Sequence, residues 1–418
     1  MNERLELKPA RTIPPQEWMT SPAAHRLLAA LEKGQGASRE PAALFVGGCV
    51  RNALFGREVD DIDLATPLTP EKVMDLCKAQ EITVIPTGLK HGTVTAVIDG
   101  THFEITTLRR DVETDGRRAE VSFTQNWIED AQRRDFTMNT LLADPNGNVY
   151  DPTGQGIEDL DAGRIRFVGD PVKRIQEDYL RILRFFRFHA IYGGEEFELD
   201  ALRACRAASD KIATLSRERI TQEFFKIMAS DKPRRILDIM FENNILKDFS
   251  FLEYEPDALD HLCYAQKRYG LVSLPSRLYV QAGMNLENIK AMENLILFPK
   301  VFLKDMQAIK GALSQPDLSC ASAVRAGIYR FGRTITAQAL MIELTQDRVV
   351  NAFAPTALQI IQTWEIPEFP VTGEDLLEAG IKAGPLLGQT LEELEEEWIA
   401  SDFNMTPDEL YKSLKKKL

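Results

Sequence analysis

The sequence predicts an α+β protein in which a small mixed sheet with its helices is followed by an all-helical remainder. Short strand candidates bounded by Gly and Pro crowd residues 43–108: "ALFVGG", "DIDLAT", "TVIPTG", "TVTAVID" and "HFEITTL". From about Ile175 the apolar period becomes helical, as in "RIQEDYLRILRFFRFHAIYG", "RERITQEFFKIMAS" and "KPRRILDIMFENNIL". Strands segregated from helices in this way favour α+β over a doubly wound sheet.

Along the chain, residues 1–39 form an N-terminal extension with Pro14, Pro15, a short helical pattern at "SPAAHRLLAALEKG" and a Gly/Ser-containing linker. Residues 40–160 carry the strands. Gly47-Gly48 ends the first and opens a helix near Val50, and Asp99-Gly100 joins the last two as a hairpin. An all-helical remainder follows. A chain of 418 residues allows two to four domains at roughly 100–200 residues each.

Hydrophobic content of 44% and charged content of 27% are those of an ordinary globular protein. No apolar run approaches the ~20 residues needed to span a bilayer, and "MNERLELKPARTIPPQEW" lacks the apolar core of a signal peptide. Cys49, Cys77, Cys205, Cys263 and Cys320 lie far apart without a CxxC pair, which argues for a reducing cytoplasm and against structural zinc. A net charge of −13 speaks against a nucleic-acid partner globally. Between Asp161 and Asp238, however, 16 Lys/Arg stand against 13 Asp/Glu, a local +3. That asymmetry is compatible with a basic RNA-facing groove on an acidic protein.

The stretch "VDDIDLAT" sets three aspartates into four positions of a strand. Alternation along a strand turns Asp61 and Asp63 to one side and Ile62 and Leu64 into a core. Two like charges on one face are relieved by a shared proton or a hard divalent cation such as Mg²⁺, or they mark a solvated acidic edge. Upstream, Gly47 and Gly48 in "FVGGCVRNALFG" let the backbone approach a ligand closely, and the helix they open offers free N–H groups to phosphate. Together the two features put a phosphate grip and a metal site within one strand-helix-strand unit.

On these residues the chain resembles the nucleotidyltransferase superfamily of DNA polymerase beta, and within it the bacterial class II tRNA nucleotidyltransferases and related poly(A) polymerases. "GGCVRNALFGREVDDIDLAT" is similar to the family's first motif, "RRDFTMNTL" to the second, "DLDAGRIRFVGDP" to the hinge-like third, "EDYLR" to the base-reading fourth and "SRERITQE" to the fifth. "VTGEDLLEAGIKAGPLLG" looks like the family's tail. Asn52 departs from the pattern, which often has Asp there, and reads as a residue that caps or orients the local turn. The resemblance implies a polymerase-beta-like head at 40–160, a base-recognising neck at 161–235, a body at 236–350 and a tail at 351–418. It also implies CTP and ATP as substrates and the tRNA 3′ end as acceptor, without a membrane.

The resemblance further implies that Asp61 and Asp63 hold Mg²⁺, since nucleotidyl transfer needs an activated hydroxyl, a neutralised α-phosphate and a stabilised leaving group. Glu104, on the polar face of its strand with His102 and Thr106, is the candidate third carboxylate; a solvated Glu is the other possibility. Arg51, Arg133, Arg134, Asp135 and Asn139 combine cations for a triphosphate with groups for ribose hydroxyls, although an RRD on a helix also suits a surface ion-pair cluster. Asp178 and Arg181, spaced i, i+3, share a helix face. They form either a solvated salt bridge or a base reader: Asp only accepts and Arg only donates, which matches the edges of C and A and opposes those of G and U. Arginines 184, 187, 203, 206, 217, 219, 234 and 235 are expected to line a groove for the tRNA acceptor arm. The charged stretch "RRDVETDGRRAE", with Asp115, Gly116 and Arg117, is expected to be a flexible loop that helps the base site switch from CTP to ATP. CCA addition is the expected activity, with poly(A) tailing and A-only addition as the alternatives.

Overall fold

The computed structural model describes residues 8–36, 40–111, 121–245 and 257–417. The chain divides into two compact units, one of residues 1–223 with 238–245 and one of residues 224–237 with 246–418.

The first unit is built on an eight-stranded mixed sheet. In chain order its elements are β1 (Arg11–Thr12), α1 (Glu17–Thr20), α2 (Pro22–Glu32), β2 (Leu44–Val46), α3 (Gly48–Phe55), β3 (Ile62–Thr66), α4 (Pro70–Lys78), β4 (Thr83–Gly88), β5 (Thr93–Ile98), β6 (Thr101–Thr107), β7 (Arg109–Asp111) and β8 (Val121–Phe123). They continue with α5 (Trp127–Gln132), β9 (Leu142–Ala143), β10 (Asn148–Tyr150), α6 (Gly156–Asp161), α7 (Pro171–Glu177), α8 (Leu180–Tyr192) and α9 (Leu199–Ala207), while α10 (Arg217–Met228) and α11 (Pro233–Glu242) each have residues in both units. The sheet order is β1-β10-β9-β2-β3-β6-β5-β4, while β7 and β8 form a separate ribbon. The α+β architecture expected from the sequence is the one observed.

Five strands are not among those expected from the sequence. β1, β7, β8, β9 and β10 are two or three residues long, too short for alternation to register. Because β1 pairs with β10, Arg11 and Thr12 of the N-terminal extension join the sheet. The buried face of α2 supplies Ala23, Ala24, Leu27, Leu28 and Leu31 to the core, with Ser21 capping its N-terminus at 3.1 Å from the Ala24 N–H.

The strands that position the site are the central ones. β3 pairs antiparallel with β2 and parallel with β6, so Asp63 and Glu104 are register partners. β3 begins at Ile62, so Asp60 and Asp61 precede the strand rather than lying on it as expected; Ile62 and Leu64 are buried while Asp63 is half-buried and Asp61 exposed. Asp99 and Gly100, both at positive φ (50° and 80°), make the tight turn between β5 and β6. Phe136, Phe167, Phe185 and Phe188 stack in a chain, with successive ring centroids 4.9–5.8 Å apart where they touch, and this tethers α8 to the strand-bearing region.

The second unit continues in helices: α12 (Ala258–Tyr269), α13 (Leu274–Gln281), α14 (Leu286–Met292), α15 (Lys300–Leu313), α16 (Ala321–Thr345), α17 (Ala354–Thr363), α18 (Gly373–Glu378), α19 (Pro385–Ala400) and α20 (Pro407–Lys417). Buried Arg277 ties it together by donating to the carbonyls of Met228 and Ser230 at 2.9 and 2.7 Å. α16 breaks at Gly332, whose φ of 78° only glycine adopts at low cost. A separate apolar cluster of Val371, Leu376, Ile381, Leu394, Trp398, Leu410 and Leu414 closes α18–α20. No described helix is long and apolar enough to cross a membrane.

Candidate active site

A polar cavity of about 610 Å³ opens in the first unit, lined by Gly47, Gly48, Arg51, Asp61, Asp63, Arg133, Arg134, Asp135, Asn139, Asp178, Leu180, Arg181, Arg184, Arg187, Phe188 and Arg219. Of the described residues that the sequence singled out by motif, all but one line it; Glu104 stands outside the lining, one strand away. Asp115, Gly116 and Arg117 lie outside the described residues, whereas Arg109–Asp111, expected in the same flexible loop, form strand β7 paired with β8.

The floor is set by the glycines. Gly47, at φ 70° and ψ −115°, turns the chain from β2 into α3, which begins at Gly48 rather than near Val50. A Cβ on Gly47 would stand 3.4 Å from Arg134 Nη1, and one on Gly48 would stand 3.9 Å from both Arg51 Nη2 and Asp63 Oδ2. The phosphate-binding and carboxylate features are thus immediate neighbours. Burial, then the charges of Glu104 and Asp61, push the Asp63 carboxyl up to about 6 against the opposing pull of Arg134 and Arg51.

The cations are preorganised by their own partners. Asp130, buried in the first turn of α5, grips Arg133 with Oδ1 (2.8 and 2.6 Å) and Arg134 with Oδ2 (3.1 and 3.0 Å). Arg133 caps α5 and Asp135 follows it, so the RRD does not lie on one helix as expected. Asp135 is also more committed than a ribose contact should be: it accepts from the Phe136 N–H, from Asn139 and from Arg184. Burial opposes its ionisation, but Arg184 and Asn139 hold it below the usual carboxylate range.

Arg51 continues this network by donating to Asn139 and Asn52. Its guanidinium stands 4.4 Å from the Tyr192 ring centroid and 5.0 Å from that of Phe188, and its buried Nε has no hydrogen-bond partner among the described residues. Burial lowers its pKa. A buried cation held by amides and rings, with no ion-paired carboxylate among the described residues, is suited to an arriving anion. Asn52, which also accepts from Tyr192 and donates to the Glu58 carbonyl, orients this corner as the sequence suggested.

Asp178 and Arg181 face the same cavity but do not share a helix. α7 ends at Glu177, and Asp178 is extended (φ −157°, ψ 109°) because its carboxylate turns back to accept the Leu180 N–H that starts the next helix. Arg181 donates to Glu177 and to the Arg174 carbonyl. Arg184, Arg187 and Arg219 line this cavity, whereas the sequence suggested a tRNA groove for them. Phe188 and Asp130 were missed. The spacing of Asp130 three and four residues before Arg133 and Arg134 was the available signal.

Two family models match, the poly A polymerase head domain over residues 43–166 and the probable RNA and SrmB-binding site of polymerase A over residues 196–254. The chain is 34% identical over 383 residues to the mitochondrial CCA tRNA nucleotidyltransferase 1 of Danio rerio, covering 88% of this chain and 86% of the relative. It is 30% identical over 401 residues to the CCA-adding enzyme of Latilactobacillus sakei, covering 89% and 94%. The chain belongs to the CCA-adding tRNA nucleotidyltransferase family. Its fold matches that of the Bacillus stearothermophilus CCA-adding enzyme solved with CTP, with a TM-score of 0.73, 24% identity and coverage of 95% and 98%. Nucleotidyltransferases of this kind work with a divalent metal ion. Among the described residues no group of three or more His, Cys, Asp or Glu forms a metal cage. A divalent ion here would therefore depend on the Asp61/Asp63 pair together with water and substrate phosphates, the pattern suited to a small hard cation.

Proposed function

We propose that this protein adds CMP and AMP to the 3′ end of tRNA without a template, using CTP and ATP and releasing pyrophosphate. The observation that carries the reading is one cavity joining Asp61 and Asp63 to the Asp178/Arg181 pair, in a chain whose full-length relatives are named for CCA addition. The head (residues 40–160) supplies the chemistry and the neck (161–235) chooses the base.

Mg²⁺ held by Asp61 and Asp63 would neutralise the α-phosphate and acidify the primer hydroxyl. Hard carboxylate oxygens, with the carboxylate of Glu104 paired beside Asp63 in register, support that assignment. Arg51 and the Asp130-clamped pair Arg133/Arg134 bind the triphosphate, with the Gly47–Gly48 backbone admitting it closely. Glu104, the register partner of Asp63, adds the third carboxylate charge beside that pair, and the proton of the 3′-hydroxyl leaves to water. The 3′-oxygen bonds to the α-phosphorus as the bond from that phosphorus to the bridging oxygen breaks, and pyrophosphate leaves against the arginines. Asp135, Asn139 and Arg184 hold Arg51 and the neck in place. Asp178 accepts from the exocyclic amine of C or A, and Arg181 donates to the neighbouring ring nitrogen. Guanine and uracil would set donor against donor. A cytoplasmic location accords with five free cysteines, four of them buried.

The deciding experiment offers the purified protein tRNAs that end before CCA, after C, or after CC, with each nucleotide supplied separately. C, C and then A, and no further, supports the reading. Repeated A on every primer would replace it with poly(A) tailing, and A on the CC primer alone with A-only addition.

A further inference from the structure

Asp178 and Arg181 carry opposite charges three residues apart, yet each is bound elsewhere. Asp178 Oδ1 accepts the Leu180 N–H at 3.1 Å, and its Oδ2 accepts from Arg219 Nη2 at 2.7 Å. Arg181 is drawn to Glu177 and to the Arg174 carbonyl. If the two instead closed on each other, neither would be available to a base edge. Arg219 comes from α10, 41 residues along the chain, so a second helix fixes the orientation of this carboxylate.

We propose that Arg219 is a positioning residue for nucleotide selection: it holds the Asp178 carboxylate away from Arg181, so that acceptor and donor stay separately presented to one base. This rests on the reading that Asp178 and Arg181 select the base. The Asp178–Arg219 pair is partly exposed, with side chains at 34% and 45%, and ion pairs in that setting contribute little to stability. Its consequence falls on orientation rather than on the fold. Arg219 also lines the cavity, so direct contact with the triphosphate is the competing role. Direct contact would weaken all four nucleotides alike and independently of Asp178.

The test uses the full chain and a tRNA ending before CCA, with the variants Arg219→Ala, Arg219→Lys, Asp178→Ala and the Asp178→Ala/Arg219→Ala double. KM and kcat are measured separately for CTP, ATP, UTP and GTP, alongside melting temperature. We expect Arg219→Ala to raise KM for CTP and ATP about 10-fold and to cut discrimination against UTP and GTP similarly, with partial rescue by Lys. Added to Asp178→Ala, it should change KM by less than about 2-fold, because groups acting as one unit are non-additive. An equal loss for all four nucleotides, or an undiminished loss in the Asp178→Ala background, would make Arg219 a phosphate contact and overturn the proposal. A fall in melting temperature with kcat loss and no change in discrimination would make it structural and would overturn the proposal equally. If Arg219→Ala lowers discrimination while Asp178→Ala does not, base reading by Asp178 fails; if Asp178→Ala lowers it and Arg219→Ala does not, only the positioning role fails.

Discussion

Asp63 and Glu104 are register partners on the adjacent parallel strands β3 and β6, and burial together with this neighbour pushes the Asp63 carboxyl up to about 6. Strands rarely stack acids in this way, because like charges side by side are destabilising. The arrangement costs stability at the point where a cation would relieve it. In chelator at pH 7.5, Asp63→Asn should therefore raise the melting temperature by about 2–4 °C, corresponding to roughly 1 kcal/mol, while abolishing incorporation. Adding Mg²⁺ should raise the wild-type melting temperature and leave the variant's unchanged. A cation response that survives in Asp63→Asn would move the metal seat elsewhere.

Arg181→Ala removes the only donor assigned to the base edge. A lost hydrogen-bond partner costs about 1–3 kcal/mol, so discrimination of CTP over UTP should fall by roughly 10-fold or more. Single-nucleotide incorporation on a tRNA ending before CCA measures this directly. Undiminished selectivity would return Arg181 to its bond with Glu177.

Asp130 is the pH-sensitive part of the phosphate grip. Burial alone would raise its carboxyl, but Arg134 and Arg133 outweigh burial and hold it below the ordinary range. A folded pKa below the unfolded value of about 3.9 adds stability that is complete above that value and is lost as pH falls through the folded one. Asp130→Asn should cost about 3 kcal/mol at pH 7, as expected when one partner of a buried ionic cluster is removed, and should flatten the stability profile below about pH 4. Urea midpoints across that range check both. An unchanged acid limb would show that Asp130 does not carry it.

Legibility followed the distance over which each feature is encoded. Gly47, Gly48, Asp61 and Asp63 were readable because one strand-helix-strand unit brings them together within seventeen consecutive residues. Asp178 was misplaced onto a helix because the i, i+3 rule assumes an unbroken helix, whereas its side chain competes for the Leu180 N–H and breaks the helix there. Arg184, Arg187 and Arg219 were recognised as basic but given to a different surface. Only the packing of α8 and the bond from Arg219 to Asp178 turn them toward the nucleotide cavity. Phe188 looked like one more apolar residue of "LRFFRF", and no local pattern shows that three guanidiniums meet its ring.

Those three are Arg51, Arg184 and Arg187, at 5.0, 5.5 and 4.4 Å from the Phe188 centroid. One buried ring thus gathers cations that would otherwise repel each other, with Asp135 and Glu223 balancing Arg184 and Arg187 from the other side. Phe188→Leu keeps an apolar side chain and removes the π face. Each contact is worth about 0.5–2 kcal/mol, and losing their shared alignment should raise KM for CTP and ATP together by about 10-fold. Since the triphosphate is common to every nucleotide, discrimination of C over U should stay as in the wild type, unlike the loss expected for Arg181→Ala. A Phe188→Leu enzyme with ordinary KM but relaxed base choice would mean that the ring serves the base and not the phosphates.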